Sequence, residues 1–280
     1  MQPGRRQSTA QDVDDEREAR TLARGDDRSA RRIVETQLVG GVAHGFERKG
    51  HLVGVRLDKL RSSATAAIAE VRDGDTLMVG GFGDAGVPFA LLDALVERGV
   101  KDLTVIANNC GTGERGLAAL FRHRMVLRVF ASFPAQPGNH HFAESYRSGQ
   151  TELVLVPQGT LVERIRAAGA GLGGVLTPTG VGTLVAEGKD VIVVDDRPYL
   201  LEKPLHADVA LVKAHVADAS GNLRYRLSSR NFNPIMATAA RLTIAEVESL
   251  VELGALDPDD VHTPGVYVDR MFVSGGASGG

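Results

Sequence analysis

Between residues 76 and 170 the chain alternates two periodicities, and that alternation restricts its fold more than any composition does. Short apolar runs rich in β-formers read as buried strands: "TLMV" (76–79), "LTVIA" (103–107), "MVLRVFASF" (125–133) and "ELVLVP" (152–157). Between them stand helix-period segments. "PFALLDALVERG" (88–99) sets Leu91, Leu92, Leu95 and Val96 on one face, with Pro88 suited to the first turn and Gly99 to the end. "LAALFRH" (117–123), "HFAESYRSG" (141–149) and "QGTLVERIRAAGAG" (158–171) follow the same logic. Strands that alternate with helices build βαβ units, so the expected fold class is α/β, a mainly parallel open sheet with flanking helices.

The flanks extend this plan. Asp58 is placed to cap a helix through "KLRSSATAAIAEVR" (59–72), with Leu60, Ala64, Ala67, Ile68 and Val71 on one face. In the C-terminal third, "DVIVVDD", "ADVALVKAHVAD" and "NLRYRLSS" read as strands joined by short turns, and "NPIMATAA" as a short helix. They are expected to join one compact domain as strands added late. The first 55 or so residues differ: "QDVDDEREARTLARGDDRSARR" mixes both charge signs with almost no large apolar side chain, too little to offset the entropy of ordering. The expected organisation is 1–55 as a disordered extension or a start assigned too far upstream, 56–274 as the folded domain, and 275–280 as a flexible tail.

Charge and composition exclude several classes. A net charge of -3 gives no electrostatic reason to expect nucleic acid or a membrane surface as partner. The apolar runs are far shorter than a bilayer span requires. The single cysteine, Cys110, rules out an intrachain disulfide and fits a reducing cytoplasm. It reads as a small packed residue rather than a chemical one. His140 and His141 are adjacent, but no Cys/His spacing suggests a metal site, and none is expected.

The stretch "GGFGDAGVP" (80–88) follows the first strand and contains Gly81-Phe82-Gly83-Asp84-Ala85-Gly86, of the form G-x-G-x-x-G. A dinucleotide site of this type also needs an acidic residue at the end of the second strand, to hold the ribose hydroxyls. That strand ends in Asn108-Asn109 instead, and Pro88 starts the helix after the third glycine. The remaining readings are a tight strand-to-helix turn, or a loop that brings backbone close to some other ligand. Three more loops share its character: "NNCGTG", "PQGT" and "TPTGVGT" (177–183). In open parallel sheets the loops at the carboxyl ends of strands line the ligand crevice. These carry small residues, amides and hydroxyls but no Ser-His or Cys-His pair, so the crevice reads as a surface of fixed donors without an obvious nucleophile.

The succession "DGDTLMVGGFGDAGVP", "LTVIANNCGTGERGLAAL", "SFPAQ", "ELVLVPQGTLVERIRAAGAG", "LTPTGVGTLVAEGK", "HADVALVKAHVADASGNLRYR", "SRNFNPIMATAA" and "LGALDPDDVHTPGVYVDR" resembles the A subunit of the family I coenzyme A transferases. The likeness spans about residues 58 to 273. Among subfamilies it is closest to the 3-oxoadipate enzymes, which draw CoA from succinyl-CoA, and next to the 3-oxoacid (acetoacetate) enzymes. The resemblance implies a coenzyme A transferase (NagB/RpiA-like) fold and no cofactor beyond the CoA thioester as substrate. It implies a B-subunit partner in a hetero-oligomer, because the family's nucleophilic glutamate sits in a Glu-Asn-Gly context that this chain lacks. Glu114 would then favour a helix start and Glu163 would face solvent near Arg166. By resemblance Gln158 projects its amide toward the reacting glutamate and carbonyl, and Asn108 and Asn109 form an amide pair at the same crevice. Gly80, Gly81, Phe82, Gly83 and Gly86 present backbone to the acyl or CoA portion. The "SRNFN" stretch matches the family without suggesting a physical role. A different class stays open on the same architecture: a non-catalytic ligand-sensing domain.

Overall fold

The computed structural model describes residues 59–274. The extension over 1–55, the cap at Asp58 and the tail over 275–280 lie outside the described residues. A nine-stranded sheet dominates, in the order β1-β12-β11-β9-β2-β3-β4-β5, with β10 attached to β9. Its strands are β1 (Leu60–Arg61), β2 (Thr76–Val79), β3 (Leu103–Ile106), β4 (Val126–Ala131), β5 (Glu152–Leu155), β9 (Ala207–Asp218), β10 (Leu223–Arg224), β11 (Ala240–Val251) and β12 (Arg270–Val273). Every pairing along the main path is parallel, and only β10 on β9 is antiparallel.

Central strands of such a sheet are covered on both faces, and side chains alternate between two cores. Leu77 and Val79 of β2 and Val209 and Leu211 of β9 pack on one side. They meet α1 (Ala64–Ala67), α2 (Phe89–Arg98), α3 (Leu117–Arg122) and α4 (His140–Arg147) through Ala67, Leu91, Leu95, Leu120 and Phe142. Met78, Ala210 and Val212 point the other way, onto α5 (Gln158–Ala170) and α6 (Asn233–Thr238), where Leu161, Ile165, Met236 and Ala237 close the second core. Gly99 and Gly171 end α2 and α5 in the left-handed conformation that only glycine adopts without cost.

Three expectations need correction. The helix read from residue 59 onward begins only at Ala64, and its cap is Ser63, whose side chain accepts from the Ala66 N–H. Leu60 and Arg61 are instead held extended by pairing with Met271 and Phe272, a partner more than 200 residues away. "NLRYRLSS" is a strand only at Leu223–Arg224, because Leu227–Ser229 turns into a 3-10 segment. The late strands do not all join the main sheet. β6 (Val175–Thr177), β7 (Val191–Val194) and β8 (Arg197–Glu202) form a separate antiparallel sheet ordered β6-β8-β7. Asp195 and Asp196, both at positive φ, make the two-residue turn between β7 and β8. Buried Glu202 ties this small sheet down, with Lys189 Nζ at 2.5 Å and Arg164 of α5 at 3.7 Å.

Candidate active site

The glycine loop after β2 is a tight turn clamped from behind. The Gly80 N–H donates to Leu211 O at 2.9 Å and prolongs the β2–β9 pairing. Phe82 and Ala85 then exchange backbone hydrogen bonds at 3.0 and 3.1 Å. Gly81, Gly83 and Gly86 all take positive φ. The reason for glycine differs at each position. A Cβ on Gly80 would lie 1.8 Å from Asn233 Oδ1, and one on Gly86 2.6 Å from Asn233 Nδ2. Asn233 is fully buried, and its amide donates to Gly86 O and Ser229 O and accepts from the Lys213 N–H, each at 3.0 Å. Asn231 adds a bond from Nδ2 to Ala85 O at 2.9 Å. The "SRNFN" stretch thus acquires a physical role as the clamp on the glycine loop.

The loop leads into α2, which has no side-chain cap of its own at Pro88. Buried Glu246 of β11 supplies one. Its Oε2 accepts from the Ala90 and Leu91 N–H groups at 2.9 and 3.3 Å, and its Oε1 lies 3.3 Å from Lys213 Nζ. A carboxylate at a helix N-terminus satisfies orphan donors and is attracted to the positive end of the helix dipole.

Gln158 opens α5, directly after β5. Its Nε2 donates to Asn108 Oδ1 at 2.7 Å, and the same oxygen accepts from Ser132 Oγ at 2.9 Å. Asn108, 3% exposed at the end of β3, therefore holds the glutamine from behind. One N–H and the carbonyl of the Gln158 amide remain for a ligand. Asn109 is buried too, but its Oδ1 accepts from the Gly111 N–H at 2.8 Å and folds its own loop.

A cavity of about 870 Å³ opens between these elements. Phe82 and Gln158 line it, with Thr160, Val162, Glu163 and Arg166 of α5. Val175, Leu176 and Thr177 come from β6 of the small sheet and Thr179 from the loop after it, and Asn231, Phe232 and Ile235 from the clamp and α6. Of the residues singled out in the sequence, Phe82, Gln158 and Glu163 thus reach the cavity. Asn108 stands behind Gln158, while Asn109, Gly80, Gly81, Gly83 and Gly86 are not in its lining. Thr160 and Thr177 lie in loops that the sequence placed at the crevice without naming them as site residues, whereas Asn231 and Phe232 are lining residues that sequence reasoning missed. The asparagines spaced two apart before a Pro-initiated helix were the available signal.

The acidic candidates stand elsewhere or are engaged. Glu163 lines the cavity but is exposed and ion-paired to Arg166 at 3.1 Å within its own helix. Exposed Glu114 meets Arg122 at 2.9 Å, His141 at 3.1 Å and His140 at 3.3 Å. Hydrogen bonds from His141 and Arg122 hold its carboxyl below the usual carboxylate range. Glu114, His140 and His141 are close enough to share a metal ion, a grouping the sequence spacing did not suggest, but Arg122 shares the carboxylate and none of the four lines the cavity. Cys110 is buried in the first core, and burial pushes its thiol up, far from a reactive thiolate.

A coenzyme A transferase family model matches residues 61–274, from the last residue of β1 to just past β12. The chain belongs to the coenzyme A transferase family. It is 52% identical over 222 residues to the A subunit of the 3-oxoadipate CoA-transferase of Pseudomonas putida, covering 79% of this chain and 96% of that protein. It is 49% identical over 217 residues to the A subunit of the probable succinyl-CoA:3-ketoacid coenzyme A transferase of Bacillus subtilis, covering 78% and 90%. The fold matches the acyl-CoA transferase of Escherichia coli O157:H7 with a TM-score of 0.69 at 22% identity, over 78% of this chain and 48% of that longer one. Among the described residues no helix is long and apolar enough to cross a membrane.

Proposed function

We propose that the chain is the A subunit of a cytoplasmic two-subunit transferase that moves CoA from succinyl-CoA to 3-oxoadipate, with the reacting glutamate supplied by the B subunit. The observation that carries this reading is the cavity itself. It offers a fixed amide in Gln158, oriented by Asn108 and Ser132, beside the Phe82 turn, and its one carboxylate is already paired with Arg166. Such a surface stabilises and orients but does not attack.

The chemistry that fits is covalent catalysis by a carboxylate. The partner's glutamate attacks the thioester carbonyl of succinyl-CoA, expels CoA thiolate and leaves a mixed anhydride. The thiolate attacks the glutamyl carbonyl, releasing succinate and leaving a glutamyl-CoA thioester. The acceptor carboxylate attacks that thioester in turn, and returning thiolate cleaves the second anhydride to give the new acyl-CoA and the free glutamate. Each step passes through an oxyanion, and a preplaced donor aimed at it contributes several kcal/mol to the transition state. Gln158 is assigned that role.

The 3-oxoadipate preference rests on the subunit relatives at about half identity. A 3-oxoacid enzyme is the alternative that relatives of similar identity support. Assaying the assembled complex with succinyl-CoA against 3-oxoadipate and acetoacetate in parallel separates them. The proposal expects the higher specificity constant for 3-oxoadipate, and a clear preference for acetoacetate moves the protein to the alternative.

A further inference from the structure

Among the described residues one buried side-chain polar atom has no hydrogen-bond partner: Thr160 Oγ1. Thr160 is 4% exposed, lines the cavity and occupies the third position of α5. A threonine deeper in a helix bonds the carbonyl four residues back. Here that carbonyl belongs to Val156, which precedes the helix, and the hydroxyl makes no bond to it. Leaving a buried hydroxyl unpaired is destabilising, and valine would fill the same space without that cost. For the fold alone, threonine is the worse choice.

The surroundings say what the hydroxyl is for. The N-terminus of this 13-residue helix has no side-chain cap at Pro157 and no acidic residue in its first turn. The Leu161 N–H is bonded to Pro157 O at 2.8 Å, and the N–H groups of Gln158, Gly159 and Thr160 precede it at the positive end of the helix dipole. Nothing stands within 4 Å of where a Gly159 side chain would begin, so a ligand has room to approach the backbone. Gln158 adds its side-chain amide at the same end. The charged groups of the lining are Glu163 and Arg166, which neutralise each other at 3.1 Å. Donors in number with no net positive charge suit a single carboxylate better than a phosphate or diphosphate, which draws lysine or arginine.

We infer that the first turn of α5, with the Thr160 hydroxyl and the backbone N–H groups beside it, is a carboxylate-binding site for the acid substrate. This assignment of the site rests on the transferase reading. Thr160 has two χ1 wells open to it in a helix, and rotation between them turns the hydroxyl from its unpaired position to the bound carboxylate. The Gly159 and Thr160 amides take the remaining lone pairs.

The test uses the full chain, succinate as probe, and the variants Thr160→Val and Thr160→Ser. Thr160→Val should melt no lower than wild type, because the orphan hydroxyl is gone, yet bind succinate about tenfold or more weakly by calorimetry, as for one lost bond to a charged group. Thr160→Ser should bind nearly as wild type. Adenosine 3′,5′-bisphosphate serves as the phosphate arm, and its binding should not depend on Thr160. Succinate affinity unchanged in Thr160→Val, no succinate binding to wild type, or a Thr160 effect confined to the bisphosphate each overturns the assignment. The same variants in the complex with the B subunit keep the two readings apart. Wild-type transfer with the Michaelis constant for the acid unmoved in Thr160→Val overturns the site alone. Absent transfer with Thr160-dependent succinate binding overturns the transferase reading and leaves the site.

Discussion

Asn233→Ala removes the clamp on the glycine loop, and the structure sets the size of the loss. The side chain bonds Gly86 O, Ser229 O and the Lys213 N–H, each at 3.0 Å, and is fully buried. Truncation strands buried backbone groups at both ends, and each unpaired group costs about 1–3 kcal/mol. A small cavity adds to this. The terms share one side chain and do not simply add, so the expected loss is about 3–5 kcal/mol. For a folded domain of this size that lowers the melting temperature by roughly 6–20 °C. Asn233→Asp separates bonding from packing. It keeps the shape and the acceptor for Lys213, but sets a carboxylate oxygen against the carbonyls of Gly86 and Ser229. It should be at least as damaging as alanine, although nothing is truncated. Thermal and urea melts of the three proteins decide the matter. A midpoint within about 2 °C of wild type for Asn233→Ala, or an Asp variant close to wild type, would refute the clamp.

Four further outcomes follow from the geometry. Gln158→Ala should lower turnover of the assembled enzyme by about ten- to a thousandfold with milder effects on Michaelis constants, and leave the melting temperature nearly unchanged because the side chain is exposed; steady-state kinetics and a melt check both. Gly81→Val should lower stability and expression rather than only block ligand, since a Cβ there meets Val87 Cγ2 at 2.6 Å, whereas Gly83→Ala has open space and costs about 1 kcal/mol for its φ of 57°; comparative melts distinguish them. At Asp218, burial works against ionisation, but hydrogen bonds from Asn222 and Ser220 outweigh it and hold the carboxyl below the usual range. Its contribution is then present above the unfolded value of about 3.9 and fades as pH falls through the lower folded value, so the stability gap between wild type and Asp218→Ala should narrow only in acid. A gap that stays flat from neutral pH into acid argues against this. A chain starting at residue 55 should keep stability and transferase activity, measured by melt and assay against the full chain.

The sheet was legible where one physical signal dominated. Strands β2 and β3 are short apolar runs because both faces are covered, whereas β5, at the sheet edge, was read from its apolar run although it stays half exposed, and α2 and α5 end at Gly99 and Gly171 because only glycine turns there without cost. What sequence reasoning missed was set by partners distant in the chain. Leu60 and Arg61 looked helical until Met271 and Phe272 held them extended. In β8, "RPYLLE", a proline and charged ends obscure the period of two, and a hairpin turn of two aspartates sets the strand. At the site, Gln158 and Phe82 were visible as residues of loops that end strands. The clamp was not, because Asn233 reaches Gly86 across 147 residues of sequence, and nothing local marks a carboxamide as a wedge between glycines. The cap from Glu246 onto α2 is hidden in the same way, since its partners Ala90 and Leu91 are apolar side chains recognised through their backbone.

The central claim is that this chain positions and stabilises while another chain supplies the nucleophile. Mass spectrometry of the separated subunits, after the complex has been quenched during turnover with succinyl-CoA, tests it most directly. The account predicts a glutamyl-CoA thioester on the partner chain and an unmodified chain here. A thioester on Glu114 or Glu163, or succinyl-CoA-dependent transfer by this chain without a partner, would contradict it.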